Sequence, residues 1–258
     1  MLLAVDVGNS LTVIGVFNGE ELAQQWRISS DASRTADELA LLFQGLMSFE
    51  NLSFSRNVHG VVISSVVPLV TARLREMTQR YFHFPPVIVA PGTRTGISIK
   101  MEDPREVGAD RLVNAIAAHD QYGGPGIVVD FGTGTNFDVY DASGAFIGGA
   151  IAPGVQISLE ALTAKGAQLR TVELTAPRHA IGRSTVEALQ SGAVYGFAGM
   201  VDRVVEQLAA ELDGLDGPPV VVATGGLASA VVDACRSINH HDPWLTLKGL
   251  RIVWDRNT

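Results

Sequence analysis

Short apolar runs, each ended by a carboxylate or a polar turn, set the pattern of this chain. Leu2-Leu3-Ala4-Val5 runs into Asp6, and Gly8-Asn9-Ser10 breaks the pattern before Leu11–Phe17. These runs predict a buried strand over 2–7 and a second over 11–17. Asn18-Gly19 is a strong hairpin signal ahead of a third strand over 21–28, so a three-stranded meander opens the molecule. Helical spacing follows: Leu39, Leu42, Phe43 and Leu46 line one face of a helix beginning near Ala36. Asp37 and Glu38 fall in its first turn, and Ser33 or Thr35 supplies the cap. Residues 59–66 form the next strand, stopped by Pro68. A helix through about Tyr81 and a short strand over Pro85–Ala90 come after it.

Residues 91–107, rich in turn formers and charge, read as a loop. Gly108-Ala109-Asp110-Arg111 then opens a helix over Leu112–Tyr122, closed by Gly123-Gly124-Pro125. Strands are expected over 126–130, 135–140 and 145–151, with a turn at 141–144. After Pro153-Gly154 come a helix over 155–165, an irregular stretch to about Pro177, and a helix from Thr185 to about Leu212. A loop over 214–219 precedes a strand over 220–223, which runs into Thr224-Gly225-Gly226. A helix over 227–237 and a last strand near 250–254 complete the expectation. This order implies mixed sheets flanked by helices, an α/β class, and not a purely parallel doubly wound sheet. The opening grammar also recurs. Asp6 and Gly8 correspond to Asp130 and Gly132 at a constant offset of 124 residues. We therefore expect two similar halves, 1–115 and 116–258, fused around a cleft.

Composition narrows the field only a little. The chain has 258 residues, enough for two such halves, each with a core. Its net charge of −8 argues against a general nucleic-acid binder, whose affinity would rest on Lys and Arg. The single Cys235 cannot form an internal disulfide and reads as a small buried hydrophobe. No leader pattern precedes the first strand, and no apolar run approaches the ~20 residues of a membrane span. The expected location is the cytoplasm.

The turns carry the chemistry. A Gly-bearing hairpin after a buried strand lets backbone N–H groups of Val7, Gly8, Asn9 and Ser10 approach phosphate oxygens, with Asn9 and Ser10 adding side-chain donors. Asp6 would repel phosphate, so its expected part is to hold a hydrated Mg²⁺. A lone copy reads equally well as a β-turn with a local Asp hydrogen bond; two copies favour a polyphosphate site. Asp130-Phe131-Gly132-Thr133-Gly134-Thr135 supplies the second grip. Thr224-Gly225-Gly226, between a strand and a helix, lets a base or ribose pack on backbone, and serves equally as a tight turn.

Two phosphate hairpins followed by a glycine turn resemble the actin-like (ribonuclease H-like) ATPase and sugar kinase superfamily. Within it the chain resembles the type III pantothenate kinases over nearly its full length. The resemblance is carried by Asp6-Val7-Gly8-Asn9-Ser10, Trp26-Arg27-Ile28-Ser29, Arg34-Thr35-Ala36-Asp37-Glu38-Leu39 and Ser64-Ser65-Val66-Val67-Pro68. Further along it is carried by Glu106-Val107-Gly108-Ala109-Asp110-Arg111, Asp130-Phe131-Gly132-Thr133 and Gly148–Gly154. Gly182–Thr185, Ser191-Gly192 and Thr224-Gly225-Gly226 complete it.

The resemblance implies duplicated actin-like domains and phosphorylation of pantothenate by ATP with Mg²⁺. It also implies a homodimer with the pantothenate site at the subunit interface, and a monovalent cation, K⁺ or NH₄⁺, beside the nucleotide. It makes Asp110 the base, with Gly108, Ala109, Arg111 and Thr185 at the substrate. Asp130 becomes the monovalent-cation ligand; Thr133, with Gly132 and Gly134, an ATP contact. Read as a residue alone, Asp110 is also a fitting N-cap for a helix starting at Arg111, and Arg111 a candidate surface ion pair. The chain departs from the family pattern in three places. Thr133-Gly134-Thr135-Asn136 stands where Thr-Ala-Thr-Thr is usual, Met101 where many relatives carry Tyr, and Val13 leaves no lysine after the first loop. A kinase for another small alcohol, or a nucleotide-binding regulator without turnover, shares most of these features.

Overall fold

In the computed structural model, the structure describes residues 1–165, 172–212 and 218–258. The chain forms two compact units: Met1–Gly96 with Asp103–Ala117 and Thr246–Thr258, and Ile97–Glu102 with Ala118–Leu245.

In the first unit the apolar runs become the expected meander, β1 (Leu2–Val7), β2 (Leu11–Asn18) and β3 (Glu21–Ser29). β4 (Gly60–Ser65) lies parallel to β1, and β5 (Val87–Ile88) parallel to β4, giving the order β3-β2-β1-β4-β5. Alternation decides the two faces. Leu3, Val5, Val7, Ile14, Val16, Val61 and Ile63 point to one core, shared with α1 (Ala36–Phe49). A four-residue helix, α2 (Phe54–Asn57), and α3 (Pro68–Met77) border the same core, and α3 continues as a π-helical turn over Thr78–Phe82. Phe43 and Met47 of α1 are fully buried, each contributing about 1.5–3 kcal/mol by burial. Of the two candidate caps for α1, Thr35 does the work. Its hydroxyl accepts the N–H of Glu38 at 3.3 Å, and the Glu38 carboxylate accepts the N–H of Thr35 at 2.8 Å. Ser33 instead donates to Asp31.

α4 (Ala109–Tyr122) leaves the first unit and enters the second. The second sheet has β6 (Gly126–Phe131), β7 (Gly134–Tyr140), β8 (Phe146–Pro153), β9 (Val220–Thr224) and β10 (His240–His241), in the order β8-β7-β6-β9-β10. That is the topology of the first sheet again: two antiparallel hairpins, then parallel strands added beside the first. Ile127, Val129, Phe131, Phe137 and Val139 meet Ala198, Val201 and Val205 of α6 (Thr185–Ala210), while α5 (Val155–Lys165) packs on α6 through Val155 and Leu159. The turn at 141–144 forms as expected. Asp141 Oδ1 accepts from Ser143 N, Ser143 Oγ and Ala145 N, and Oδ2 from Lys100 Nζ. The expected irregular stretch and the loop at 214–219 fall partly on residues 166–171 and 213–217, outside the described residues.

Two of the expected elements take another form, and α2 and β10 were not expected. The stretch 227–237 is not a helix but two 3₁₀ turns, Ala228–Ala230 and Val232–Ala234. Ala228 and Val231, three apart, are both buried, which suits the three-residue period. Asp202 then ends the segment by accepting the N–H groups of Arg236 and Ser237. Residues 250–254 are not a strand. They belong to α7 (Leu245–Asp255), which returns to the first unit. Leu247 covers Gly15, Trp254 covers Gly60, and Gly249 lies so close to the Val113 carbonyl of α4 that a Cβ there would overlap it. The second face of the first sheet therefore needs a helix across it.

Among the described residues no helix is long and apolar enough to cross a membrane.

Candidate active site

The first hairpin is held from below by its own sheet. Gly8 N donates to Leu11 O at 3.0 Å. Ser30, just past β3, donates its hydroxyl to Gly8 O at 2.7 Å and its N–H to Ser10 O at 2.9 Å. The buried Thr12 hydroxyl lies 2.9 Å from that of Ser30. The carbonyls of Gly8 and Ser10 are thus engaged by protein, and Asn9 and Ser10 stand exposed at the tip. Val66 N donates to Val7 O, fixing the end of β4 against the same turn. Asp6, half-buried, lies on the face opposite the core, paired in register with Val13 and with Ser64.

Asp110 belongs to the first unit as well. It is not the N-cap. The helix begins at Ala109, the N–H of Leu112 donates to Gly108 O, and Gly108 occupies the cap position. Asp110 sits inside the first turn, where the helix dipole favours a carboxylate. Its Oδ1 accepts the Arg111 N–H at 2.9 Å. The same oxygen lies over Gly108, 2.5 Å from where a Cβ would be. Ala109, Asp110 and Arg111 are all half-buried.

The second unit brings Asp130, Gly132–Gly134 and Thr224–Gly226 together. Gly132 N donates to Gly134 O at 3.0 Å, leaving Thr133 exposed at the tip. Gly154 packs directly on the Thr133 carbonyl, where any side chain would overlap, and Thr135 donates to Pro153 O. The Gly148–Gly154 segment thus buttresses the 132–134 turn. Gly225, at φ +96°, folds back on the end of β6. A Cβ on it would lie 2.5 Å from Asp130 Oδ1 and 2.6 Å from Phe131 N and O. A Cβ on Gly226 would meet nothing within 4 Å beyond its chain neighbours. Thr185 opens α6, exposed, just after Ser184, whose hydroxyl accepts from Glu187 N. Met101 is half-buried.

The offset of 124 between the repeats holds through Asp6/Asp130 and Gly8/Gly132 and then shortens by one. The first hairpin closes with Val7 opposite Thr12, the second with Phe131 opposite Thr135. The second is one residue shorter. Thr135 therefore answers Thr12 and Asn136 answers Val13, and the position of Ser10 has no separate counterpart. The parallel pairs show a second correspondence that the sequence pattern did not suggest: Ser64 stands opposite Asp6 as Thr224 stands opposite Asp130. The signal was present in Ser64-Ser65 at a strand end, but only the register gives it meaning.

Cys235 carries no chemistry of this kind. Burial, with the nearby Asp202 carboxylate, pushes its thiol up to about 12, so it stays protonated and unreactive.

A duplicated α/β fold with an acidic glycine hairpin in each half and a glycine turn after β9 is that of the actin-like kinases and ATPases. Solved structures agree on the fold. A ROK hexokinase from Thermus thermophilus superposes with TM-score 0.53 at 15% identity, covering 98% of this chain and 97% of that one. A polyphosphate/ATP-glucomannokinase from Arthrobacter gives 0.51 at 12%, covering 99% and 98%. The family model of the type III pantothenate kinases matches residues 2–207, and the chain belongs to that family. Relatives so named include one from Streptomyces avermitilis, 54% identical over 261 residues, covering all of this chain and 98% of the relative. Another from Thermobifida fusca is 52% identical over 259 residues, with both chains covered in full.

Proposed function

We infer that this chain transfers the γ-phosphoryl group of ATP to the primary hydroxyl of pantothenate, giving 4′-phosphopantothenate and ADP, the first step of coenzyme A biosynthesis. The observation that carries this is the end-to-end match, at more than half identity, to relatives named for that activity. The geometry supports a division of labour. The exposed hairpin tips, Asn9-Ser10 and Thr133, meet phosphate oxygens, while the Gly8 and Gly132 N–H groups hold the two turns closed, and Gly226 takes the adenosine side. Asp110 accepts the proton of the substrate hydroxyl. Its first oxygen is already fixed by the Arg111 N–H, so the carboxylate is aimed before substrate arrives. A loose phosphoryl-transfer transition state demands a positioned acceptor more than a strong base. Arg111, Gly108, Ala109 and Thr185 bind the pantothenate portion.

Among the described residues no three His, Cys, Asp or Glu side chains gather into a metal-binding cluster. A cation beside Asp6 or Asp130 would take few protein ligands and complete its shell with water and nucleotide oxygens, which suits hydrated Mg²⁺ at Asp6 and K⁺ or NH₄⁺ at Asp130. Bound Mg²⁺ supplies positive charge that offsets the phosphate oxygens. A homodimer is supported by exposed apolar side chains on β8 (Ile151), α5 (Ile157, Leu162), the segment before α6 (Ile181) and α6 itself (Val186, Tyr195). The cytoplasm is the proposed location.

The test is direct: purified protein with ATP, Mg²⁺, K⁺ and pantothenate, read by mass spectrometry. Formation of 4′-phosphopantothenate is expected. Its absence at every cation composition, while another small alcohol is phosphorylated, would redirect the substrate assignment.

A further inference from the structure

We propose that Ser64 is a metal-seat residue: its hydroxyl, beside the Asp6 carboxylate, holds the water shell of the divalent cation that accompanies the nucleotide. The idea rests on the ATP–Mg²⁺ reading above and extends it to a residue given no part there.

Ser64 is fully buried, and its Oγ has no hydrogen-bond partner in the protein. A buried hydroxyl in that state burdens the fold, and a ligand that satisfies it meets a partner already stripped of water. Its place in the sheet says which ligand. Ser64 is the register partner of Asp6 across parallel strands β1 and β4. Val5, Val7 and Ile63 point into the first core, so by alternation Asp6 and Ser64 share the opposite face at the carboxyl ends of their strands. In open α/β sheets that end is where ligands bind.

Neighbouring strands lie ~4.8 Å apart, a separation that water molecules span readily. An anion is the wrong ligand next to Asp6, because like charges repel. A hydrated cation fits: its waters are strong donors, the carboxylate accepts one, and the serine hydroxyl has lone pairs for another. The second unit repeats the device. Thr224 stands opposite Asp130 in the same register, also buried, so each half places a hydroxyl one strand away from its acidic residue.

The experiment compares Ser64→Ala, Ser64→Thr and Ser64→Cys with Ser53→Ala. Ser53 is the control because its Oγ is also buried without a partner but lies at the start of α2. The readouts are Mn²⁺ affinity by electron paramagnetic resonance in the complex with a non-hydrolysable ATP analogue, the Mg²⁺ concentration giving half-maximal turnover, and the melting temperature. Ser64→Ala should melt like the wild type and bind Mn²⁺ about 10-fold more weakly, with half-maximal Mg²⁺ rising in parallel. Ser64→Thr should restore affinity; if its extra methyl prevents folding, Ser64→Cys, of similar shape but a poor acceptor, should match Ser64→Ala. Ser53→Ala should leave both metal readouts unchanged.

Unchanged Mn²⁺ affinity in a folded Ser64→Ala would overturn the proposal. So would a lower melting temperature with unchanged affinity, which would mean a structural water. If the wild type fails to phosphorylate pantothenate but the Mn²⁺ difference persists, the substrate reading falls and the metal seat stands. Normal kinase activity with no metal difference removes the seat alone.

Discussion

The adjacent glycines of the Thr224-Gly225-Gly226 turn should separate cleanly on substitution. Gly225 is at φ +96°, a region that costs an L-residue about 1–2 kcal/mol. A Cβ there would also sit 2.5–2.6 Å from Asp130 Oδ1 and from the backbone N and O of Phe131. Backbone cannot swing aside as a side-chain end can, so overpacking adds about 1–3 kcal/mol. Gly225→Ala should therefore lose about 2–5 kcal/mol in urea unfolding, or roughly 5–15 °C in melting temperature. Gly226 has no left-handed φ and open space around it. Gly226→Ala should change stability by less than about 0.5 kcal/mol while weakening binding of an ATP analogue, because its Cβ enters the space proposed for the nucleoside. Circular dichroism in urea and calorimetric titration with the analogue read the two effects independently. If Gly225→Ala lost less than about 1 kcal/mol, or both variants behaved alike, the reasoning from the turn geometry would be wrong.

Asp110→Asn should keep ATP-analogue affinity while turnover drops about 10²–10⁴-fold; near-normal turnover would remove Asp110 as the base. Gly108→Ala should lower kcat more than it raises KM, because its Cβ would displace the Asp110 carboxylate lying over it; steady-state kinetics decide. For Asp141, burial works to raise the carboxyl but is outweighed by hydrogen bonds from Lys100, Ser143 and Ala145, which hold it at about 2, below the ordinary 3.8. A depressed folded pKa stabilises above the unfolded value and is lost as pH falls. The deficit of Asp141→Ala should be full above about pH 4 and shrink between about 4 and 2, as acid-unfolding curves would show. Ile157→Asp with Ile181→Asp should convert the proposed dimer to monomer in sedimentation velocity; a wild type already monomeric would refute the assembly.

Much of this fold was legible because its strands announce themselves. β1 and β6 are apolar runs ending in Asp, the turns after them are rich in glycine, and α5 emerged at its expected bounds because Pro153-Gly154 marks its start. What was not legible depended on partners distant in sequence. Leu250–Trp254 looks like a strand in isolation. Only the bare Gly15 and Gly60 of the first sheet, which need Leu247 and Trp254 above them, require a helix there. β10 is two histidines, chosen by the free edge of β9 and not by any apolar pattern. The site shows the same division. Both acidic hairpins were visible from the repeat, but the shortening of the second emerged only from strand register. The hydroxyls of Ser64 and Thr224 gained their place from parallel pairing, which no local pattern encodes.

The return of α7 to the first unit also sets an order in time. Residues 246–258 complete a unit that begins at Met1, yet they follow all of the second unit along the chain. On a ribosome the meander and β4 emerge early, with the face around Gly15 and Gly60 still lacking Leu247 and Trp254. The second unit has every strand it needs before the first can close. Synthesis therefore finishes the later-encoded half first, and a nascent chain halted near residue 240 should expose that apolar face to chaperones or to another copy. Chains released with and without residues 246–258, compared by protease resistance of the meander, would show whether the last helix is what locks the beginning of the protein.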